Sequence, residues 1–291
     1  MTRRGREIAL RISKRLLPKE EFERLSTTLQ FKDVGFGFDK FGYEPETALL
    51  AYAVMQYVYT YWFRTESFGI ENIPKEGRAI IVPNHSGVIP IDGAMIAIDV
   101  LKKTNPPRIM RSVVEYFAAT FPFINTFFYR CGQVIGVRKN FKELLEGEEL
   151  VCVFPEGAKG PGKPFSQRYK LIKFNVGFLE LALENRAPII PCAVIGSEEQ
   201  APMLADLKPI AKAFGFPYFP ITVQFPWLGP LGLLPLPVKY YIYYGKPLHL
   251  YKDYPSDTVN DPDKIVELVE IVKSEVAGLI SKGLKARKSL F

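Results

Sequence analysis

Histidine occurs twice in the chain, at His85 and His249, and the first stands among residues suited to proton transfer. His85 lies in Val-Pro-Asn-His-Ser-Gly-Val-Ile-Pro-Ile-Asp-Gly, directly after the apolar run Ala79-Ile80-Ile81-Val82. The end of a strand in an α/β sheet is where active-site loops gather. Asp92 follows seven residues later and opens a helical pattern, so the two side chains can pair at the mouth of a sheet. In such a pair the carboxylate fixes the imidazole tautomer and stabilises the imidazolium, while the other ring nitrogen takes a proton from a hydroxyl. The bland alternative is a histidine that ties down its own loop. Asn84 and Ser86 bring further polar groups to this loop and are expected to touch substrate. Ser86 adjoins His85 in sequence, a poor arrangement for nucleophile and base, and no Gly-x-Ser-x-Gly elbow is present. A covalent serine mechanism is disfavoured on both counts.

A second cluster, Val-Cys-Val-Phe-Pro-Glu-Gly-Ala-Lys-Gly, spans residues 151–160. A buried-strand run stops at Pro155-Glu156-Gly157, which puts Glu156 at another sheet mouth with Lys159 close behind. Residues 157–163 also fit Gly-x4-Gly-Lys, but Pro164 stands where a phosphate loop needs a hydroxyl for magnesium and a backbone N–H donor. Between the clusters, Gly132-Gln-Val-Ile-Gly-Val-Arg138 ends a strand on a guanidinium that could grip a phosphate or stand as an ordinary surface charge. Ala187-Pro-Ile-Ile-Pro-Cys-Ala-Val-Ile-Gly196 reads as a buried strand whose Pro191 marks a bulge or an edge.

The elements that must position these groups alternate. AIIVP, RIMRSVV, QVIGV, LVCVF, IIPCAVIG and YYIYYG are short β-rich runs separated by helical stretches, the pattern of an α/β fold with a mixed, largely parallel sheet flanked by helices. The boundaries read as an N-terminal helical, membrane-associating region over 1–64, a catalytic domain over 65–260, and a C-terminal amphipathic helix with a basic tail over 261–291. Asp261-Pro262 supplies an N-cap and an N1 proline for that helix, and Ile265, Leu268, Val269, Val272, Val276, Leu279 and Ile280 follow at helical spacing. With 291 residues, 47% hydrophobic and 24% charged, the chain can bury a full core and is not a disordered, collagenous or coiled-coil sequence. Cys131, Cys152 and Cys192 are odd in number and widely spaced, which indicates neither a disulfide framework nor a zinc site and fits a reducing compartment.

Charge is distributed unevenly. Residues 1–19 carry Arg3, Arg4, Arg6, Arg11, Lys14, Arg15 and Lys19 against Glu7, a local +6. The last ten residues add Lys282, Lys285, Arg287 and Lys288, so the formal +7 of the whole leaves the body at −3. Ile8, Ile12, Leu16 and Leu17 recur between the N-terminal cations, the pattern of a basic amphipathic helix in a membrane interface or of a terminal helix packed on its own domain. Thr47–Phe63 has no charge over 17 residues, is rich in Tyr and Trp, and is somewhat short for a bilayer span. Residues 213–238 are also charge-free but contain Pro217, Pro220, Pro226, Pro230, Pro235 and Pro237, which forbid a continuous helix and leave a greasy loop. Because the aromatics sit in charge-free segments and are not interleaved with Lys and Arg, nucleic acid is not the expected partner.

Taken in order, the Asn-His…Asp, Arg138-ending, Pro-Glu-Gly and Pro191-containing blocks resemble the glycerolipid acyltransferase superfamily over roughly residues 65–250. The resemblance implies that His85 is a general base oriented by Asp92, that Arg138, Glu156 and Gly157 help bind an acceptor phosphate with Lys159 nearby, and that Pro191 lines the acyl region. It implies direct attack by a lipid hydroxyl, such as that of lysophosphatidate, on an acyl thioester of coenzyme A or acyl carrier protein. No covalent intermediate, metal or bound cofactor is expected, and the enzyme would sit on an anionic membrane surface facing the cytoplasm. Two departures stand out. The family's His-x4-Asp is here His-x6-Asp, so two residues must bulge out, as in a variant branch some of whose relatives esterify neutral alcohols such as diacylglycerol. Its Glu-Gly-Thr-Arg-Ser becomes Glu156-Gly-Ala-Lys-Gly160, which loses two hydroxyls and the guanidinium fork. A lipid-binding protein of the same fold without activity is the competing expectation.

Overall fold

In a computed structural model of the chain, residues 2–29, 31, 33–115 and 123–291 are described. The apolar runs become strands: β1 (Glu66–Phe68), β2 (Ala79–Pro83), β3 (Met110–Val114), β4 (Val134–Ile135), β5 (Leu150–Val153), β6 (Ile189–Ile195) and β9 (Tyr241–Tyr244) form one sheet in the order β1-β9-β6-β2-β5-β3-β4. Strands β6, β2, β5, β3 and β4 are mutually parallel, while β9 runs antiparallel to β6 and parallel to β1. The sheet is thus mixed and mostly parallel. A separate hairpin pairs β7 (Met203–Asp206) with β8 (Pro220–Thr222).

Helices cover both faces. In chain order among the described residues they are α1 (Arg3–Leu16), α2 (Lys19–Thr28), α3 (Pro45–Tyr57), α4 (Ile91–Lys103), α5 (Ile124–Arg130), α6 (Arg138–Glu146), α7 (Gly177–Glu184), α8 (Lys208–Phe214) and α9 (Pro262–Ala286). The central strands are apolar throughout because each side chain, pointing alternately up and down, meets a helix layer. Ala79 and Ile81 of β2 join the core beneath α3 and α4, whereas Ile80 and Val82 join the core beneath α6, α7 and α9. Asp261 caps α9 by accepting the Lys264 N–H at 3.1 Å, and the buried stripe from Ile265 to Ile280 lays the helix on β6. Gly283 lets the backbone come close: a β-carbon there would lie 2.7 Å from Cγ1 of Ile195.

The N-terminal region divides its apolar residues between core and surface. Along Thr47–Phe63, α3 passes into a wider turn over Val58–Trp62, and Leu49, Tyr52, Ala53, Tyr59 and Phe63 are buried. Tyr59, Ser67 and Tyr244 all donate hydrogen bonds to the buried Asp99 of α4, so this segment is tied to the sheet by polar as well as apolar contacts. On the other side Val54, Tyr57, Tyr61 and Trp62 are exposed. Helix α1 packs on α3 through Ala9 and Ser13, Leu17 enters the core, and Ile8 and Ile12 remain on the surface. Among the described residues no helix is long and apolar enough to cross a membrane.

Pro191 corrects one expectation. It sits in β6, at the centre of the sheet and opposite Val82, not at an edge. Its carbonyl accepts the Gly245 N–H at 2.8 Å. The irregularity lies on the neighbouring strand, where the register moves by one residue between Cys192↔Tyr244 and the bridge Ile189↔Leu248. That shift accommodates the N–H that proline lacks.

Candidate active site

Strands β6, β2 and β5 are adjacent and parallel, so their C-terminal ends deliver three loops to one edge of the sheet. From β2 comes the loop with His85, from β5 the turn with Glu156, and from β6 the segment from Gly196 to Gln200. Asn84 joins two of them: its amide donates to the Val194 carbonyl at 3.2 Å and its oxygen accepts the Val194 N–H at 2.8 Å.

His85 Nδ1 lies 2.9 Å from Asp92 Oδ2. The same carboxylate oxygen accepts the Ser86 N–H at 3.0 Å, and Oδ1 accepts the Gly93 N–H at 2.8 Å. Asp92 is fully buried in the first turn of α4, where exposed helix N–H groups favour an anion. An acceptor so placed holds the proton of the imidazole on Nδ1 and leaves a lone pair on Nε2, which has no hydrogen-bond partner among the described residues. The ring packs on Phe154 with centroids 4.1 Å apart, and 12% of the side chain is exposed. This is the geometry of a general base.

The two additional residues of the His-x6-Asp spacing form a pinned loop. Gly87 has φ of +77° and touches Ser197 and Gln200 so closely that a β-carbon would lie 2.2 Å from the Gln200 amide nitrogen. The Gln200 amide donates to the Ile89 carbonyl at 3.0 Å, and the Tyr218 hydroxyl donates to that of Val88 at 2.6 Å. Ser86 is fully buried with its hydroxyl bonded to that of Ser197, which removes it as a substrate contact and as a nucleophile.

Beside the dyad, and joined to it through Glu156, is a cavity of about 690 Å³. Gly157, Lys159 and Lys163 lie in its wall, with Lys173, Glu115, Asp206 and Tyr218. Glu156 is also there, but its side chain is buried and engaged. Oε1 accepts the His85 N–H at 3.0 Å, and Oε2 accepts the Ile172 N–H at 3.1 Å and a proton of Lys163 Nζ at 3.3 Å. The sequence pattern placed Lys163 in a near-match to a phosphate loop and gave no hint of this pairing.

Arg138 is not brought to the cavity. Its guanidinium forks between Glu180 and Glu184, whose spacing of one turn on α7 matches the two arms. Neither Arg138 nor Pro191, which is buried four residues short of the end of β6, lines the cavity wall. Asn84 and Ser86 likewise spend their polar atoms on the scaffold. The cysteines offer no nucleophile, since burial pushes Cys131 up to about 12 and Cys152 and Cys192 well above the ordinary thiol range.

Glu198 titrates near neutrality. Burial raises it from 4.5 to about 7, against the opposing pull of Lys163, whose Nζ lies 3.4 Å away. Between these values the folded protein holds a proton that the unfolded chain releases. The stabilisation is therefore full below about pH 4.5 and is lost as pH rises through 7. Urea unfolding from pH 4.5 to 8 is expected to show wild type losing roughly 3 kcal/mol relative to Glu198→Gln. Parallel stability curves would refute this.

A family model described as Acyltransferase matches residues 64–195. An uncharacterized protein of Mycobacterium tuberculosis is 39% identical over 258 residues, covering 88% of this chain and 72% of its own. A protein of Bos taurus named "DGAT1/2-independent enzyme synthesizing storage lipids" is 26% identical over 76% of this chain and 60% of its own. Among solved structures, the 1-acyl-sn-glycerophosphate acyltransferase PlsC of Thermotoga maritima shares the fold, with TM-score 0.53 and 16% identity over 97% of this chain and 95% of that one.

Proposed function

Because the chain belongs to the acyltransferase family, we propose that it transfers a fatty acyl group from coenzyme A or acyl carrier protein to a lipid hydroxyl, with His85 as general base. The observation that carries this reading is the His85–Asp92 pair, with Nε2 unpartnered among the described residues at the mouth of the sheet. In the reaction Nε2 takes the hydroxyl proton as the oxygen attacks the thioester carbonyl. Asp92 stabilises the resulting imidazolium, the C–S bond breaks, and the proton passes to the departing thiolate. The ester and the free thiol are the products, without an acyl-enzyme and without a bound cofactor or metal.

Two acceptor classes compete, a lysolipid phosphate such as lysophosphatidate and a neutral alcohol such as mono- or diacylglycerol. The engagement of Arg138 by Glu180 and Glu184 favours the neutral class, because the fork that would grip a phosphate is already occupied. The cavity wall adds no surplus of cations, since Lys159, Lys163 and Lys173 are matched by Glu115, Glu156 and Asp206. The name of the bovine relative, which speaks of storage lipids, points the same way. Offering lysophosphatidate, other lysolipids, monoacylglycerol and diacylglycerol with both donors, and identifying the ester by mass, tests this. A neutral alcohol is expected to react fastest, and exclusive use of lysophosphatidate would contradict it.

The enzyme is further proposed to work on the cytoplasmic face of an anionic membrane. Three apolar surfaces support this reading. The Tyr57 hydroxyl donates to the Leu16 carbonyl and the Trp62 indole donates to that of Pro235, so the ends of α1 and α3 adjoin the segment bearing exposed Trp227, Leu228 and Leu231. On α1 itself, exposed Arg4, Arg11 and Arg15 accompany exposed Ile8 and Ile12. Together these surfaces supply the aromatic and aliphatic groups that an interfacial face buries among headgroups. Truncation at residue 19 would also remove Leu17 from the core, so point substitutions isolate the effect. Ile8→Ser, Ile12→Ser, Trp227→Ser and Leu231→Ser in one chain are expected to weaken binding to anionic vesicles by at least about tenfold. Undiminished vesicle flotation would refute the membrane face.

A further inference from the structure

The segment from Glu156 to Lys163 touches His85 from behind at several points, and none of them involves the imidazole. Glu156 Oε1 holds the His85 N–H. Gly160 presses on the same residue, where a β-carbon would stand 2.9 Å from the His85 carbonyl oxygen and 3.0 Å from its Cβ. Glu156 is itself held by Ile172 N–H and by Lys163, whose ammonium donates also to the Lys170 carbonyl at 3.0 Å and pairs with Glu198. Both Lys163 and Glu156 are buried. A buried ammonium bridging two carboxylates costs desolvation, and for stability alone apolar residues of the same volume serve as well or better. An isolated carboxylate could swing or recruit water, but one fixed by Lys163 and a backbone N–H keeps a constant position for the His85 main chain.

We propose that Lys163 is a positioning residue for catalysis: through Glu156 it forms a strut that sets the height of His85 relative to Asp92 and the reacting hydroxyl. Glu156 thereby acts on the base and not on the substrate. The inference rests on the reading of His85 as general base. Displacement of a catalytic group by about 1 Å can cost on the order of 100-fold in rate, so a strut that acts through the His85 main chain has leverage.

The test uses the full chain with acyl-coenzyme A and the acceptor the panel identifies. Lys163→Met removes the ammonium and leaves two carboxylates facing each other. Lys163→Met combined with Glu198→Gln removes it while retaining one carboxylate, so the charge of a fully ionised cluster is preserved. Both are expected to lower kcat by about 10- to 100-fold with KM for donor and acceptor within about twofold of wild type. The acidic limb of the pH profile of kcat/KM should shift, and Lys163→Arg should recover part of the rate. A folded double variant with wild-type kcat overturns the strut. So does a raised KM at unchanged kcat, which would make Lys163 a substrate contact. Failure of both methionine variants to fold also overturns it, because a strut confined to the His85 loop does not hold the domain together. His85→Ala in the same assay separates the two readings. If that variant is inactive while Lys163→Met is fully active, only the strut fails, whereas a fully active His85→Ala removes the base reading beneath it.

Discussion

Substituting His85 by alanine is expected to lower kcat for acyl transfer by about 10²–10⁴, the range for loss of a positioned base. The KM values should hardly move, because the imidazole meets the hydroxyl in the transition state and the cavity wall beside Glu156 is untouched. Stability should change little, since the ring is partly exposed and its removal leaves Asp92 with two backbone N–H donors. Steady-state kinetics with a thermal melt decide the matter. Equal rates for the variant and wild type would exclude His85 as the base.

The second large effect belongs to Asp92. Asp92→Asn keeps the volume but can present an amide N–H to Nδ1, which drives the imidazole proton to Nε2 and removes the lone pair that accepts the hydroxyl proton. A change of this kind in a serine protease triad costs about 10⁴ in kcat, and a loss of roughly 10³–10⁴ is expected here. The Ser86 N–H is bonded to Oδ2 and the Gly93 N–H to Oδ1, so whichever way the amide turns, one of them loses an acceptor and some destabilisation accompanies the kinetic loss. Kinetics combined with ¹⁵N chemical shifts of the imidazole would report the tautomer directly. A fast variant, or one with the wild-type tautomer, would refute the orienting role.

The pair was legible in the sequence because it is local. Seven residues separate His85 from Asp92, the first follows a strand, and the second opens a helix, so secondary structure alone brings them together. The runs that became β2, β5 and β6 were legible for a similar reason, since strands buried on both faces are written as unbroken apolar residues. Strands β1, β7 and β8 are short and mix polar with apolar residues that are largely outside the core, and β7 and β8 find each other across the α8 segment.

What escaped was tertiary partnership. Arg138 reads as a strand-end cation free to meet a phosphate until Glu180 and Glu184, more than forty residues away, are seen to hold it. Lys163 resembles a phosphate-loop lysine until the fold turns it inward to Glu156 and Glu198. Charge counts could not show this, because a cation and its buried partner contribute nothing visible when they cancel. The same blindness explains why Asn84, Ser86 and Glu156 read as substrate contacts, when their polar atoms complete hydrogen bonds inside the scaffold.

Single-turnover mixing of the purified protein with a radiolabelled acyl thioester, with and without a lipid alcohol, tests the central claim most directly. Free thiol and labelled ester are expected to appear together in equal amounts when the alcohol is present, with no label on the protein at any time. Thiol release without ester, label retained on the protein, or no reaction with any lipid hydroxyl would contradict it.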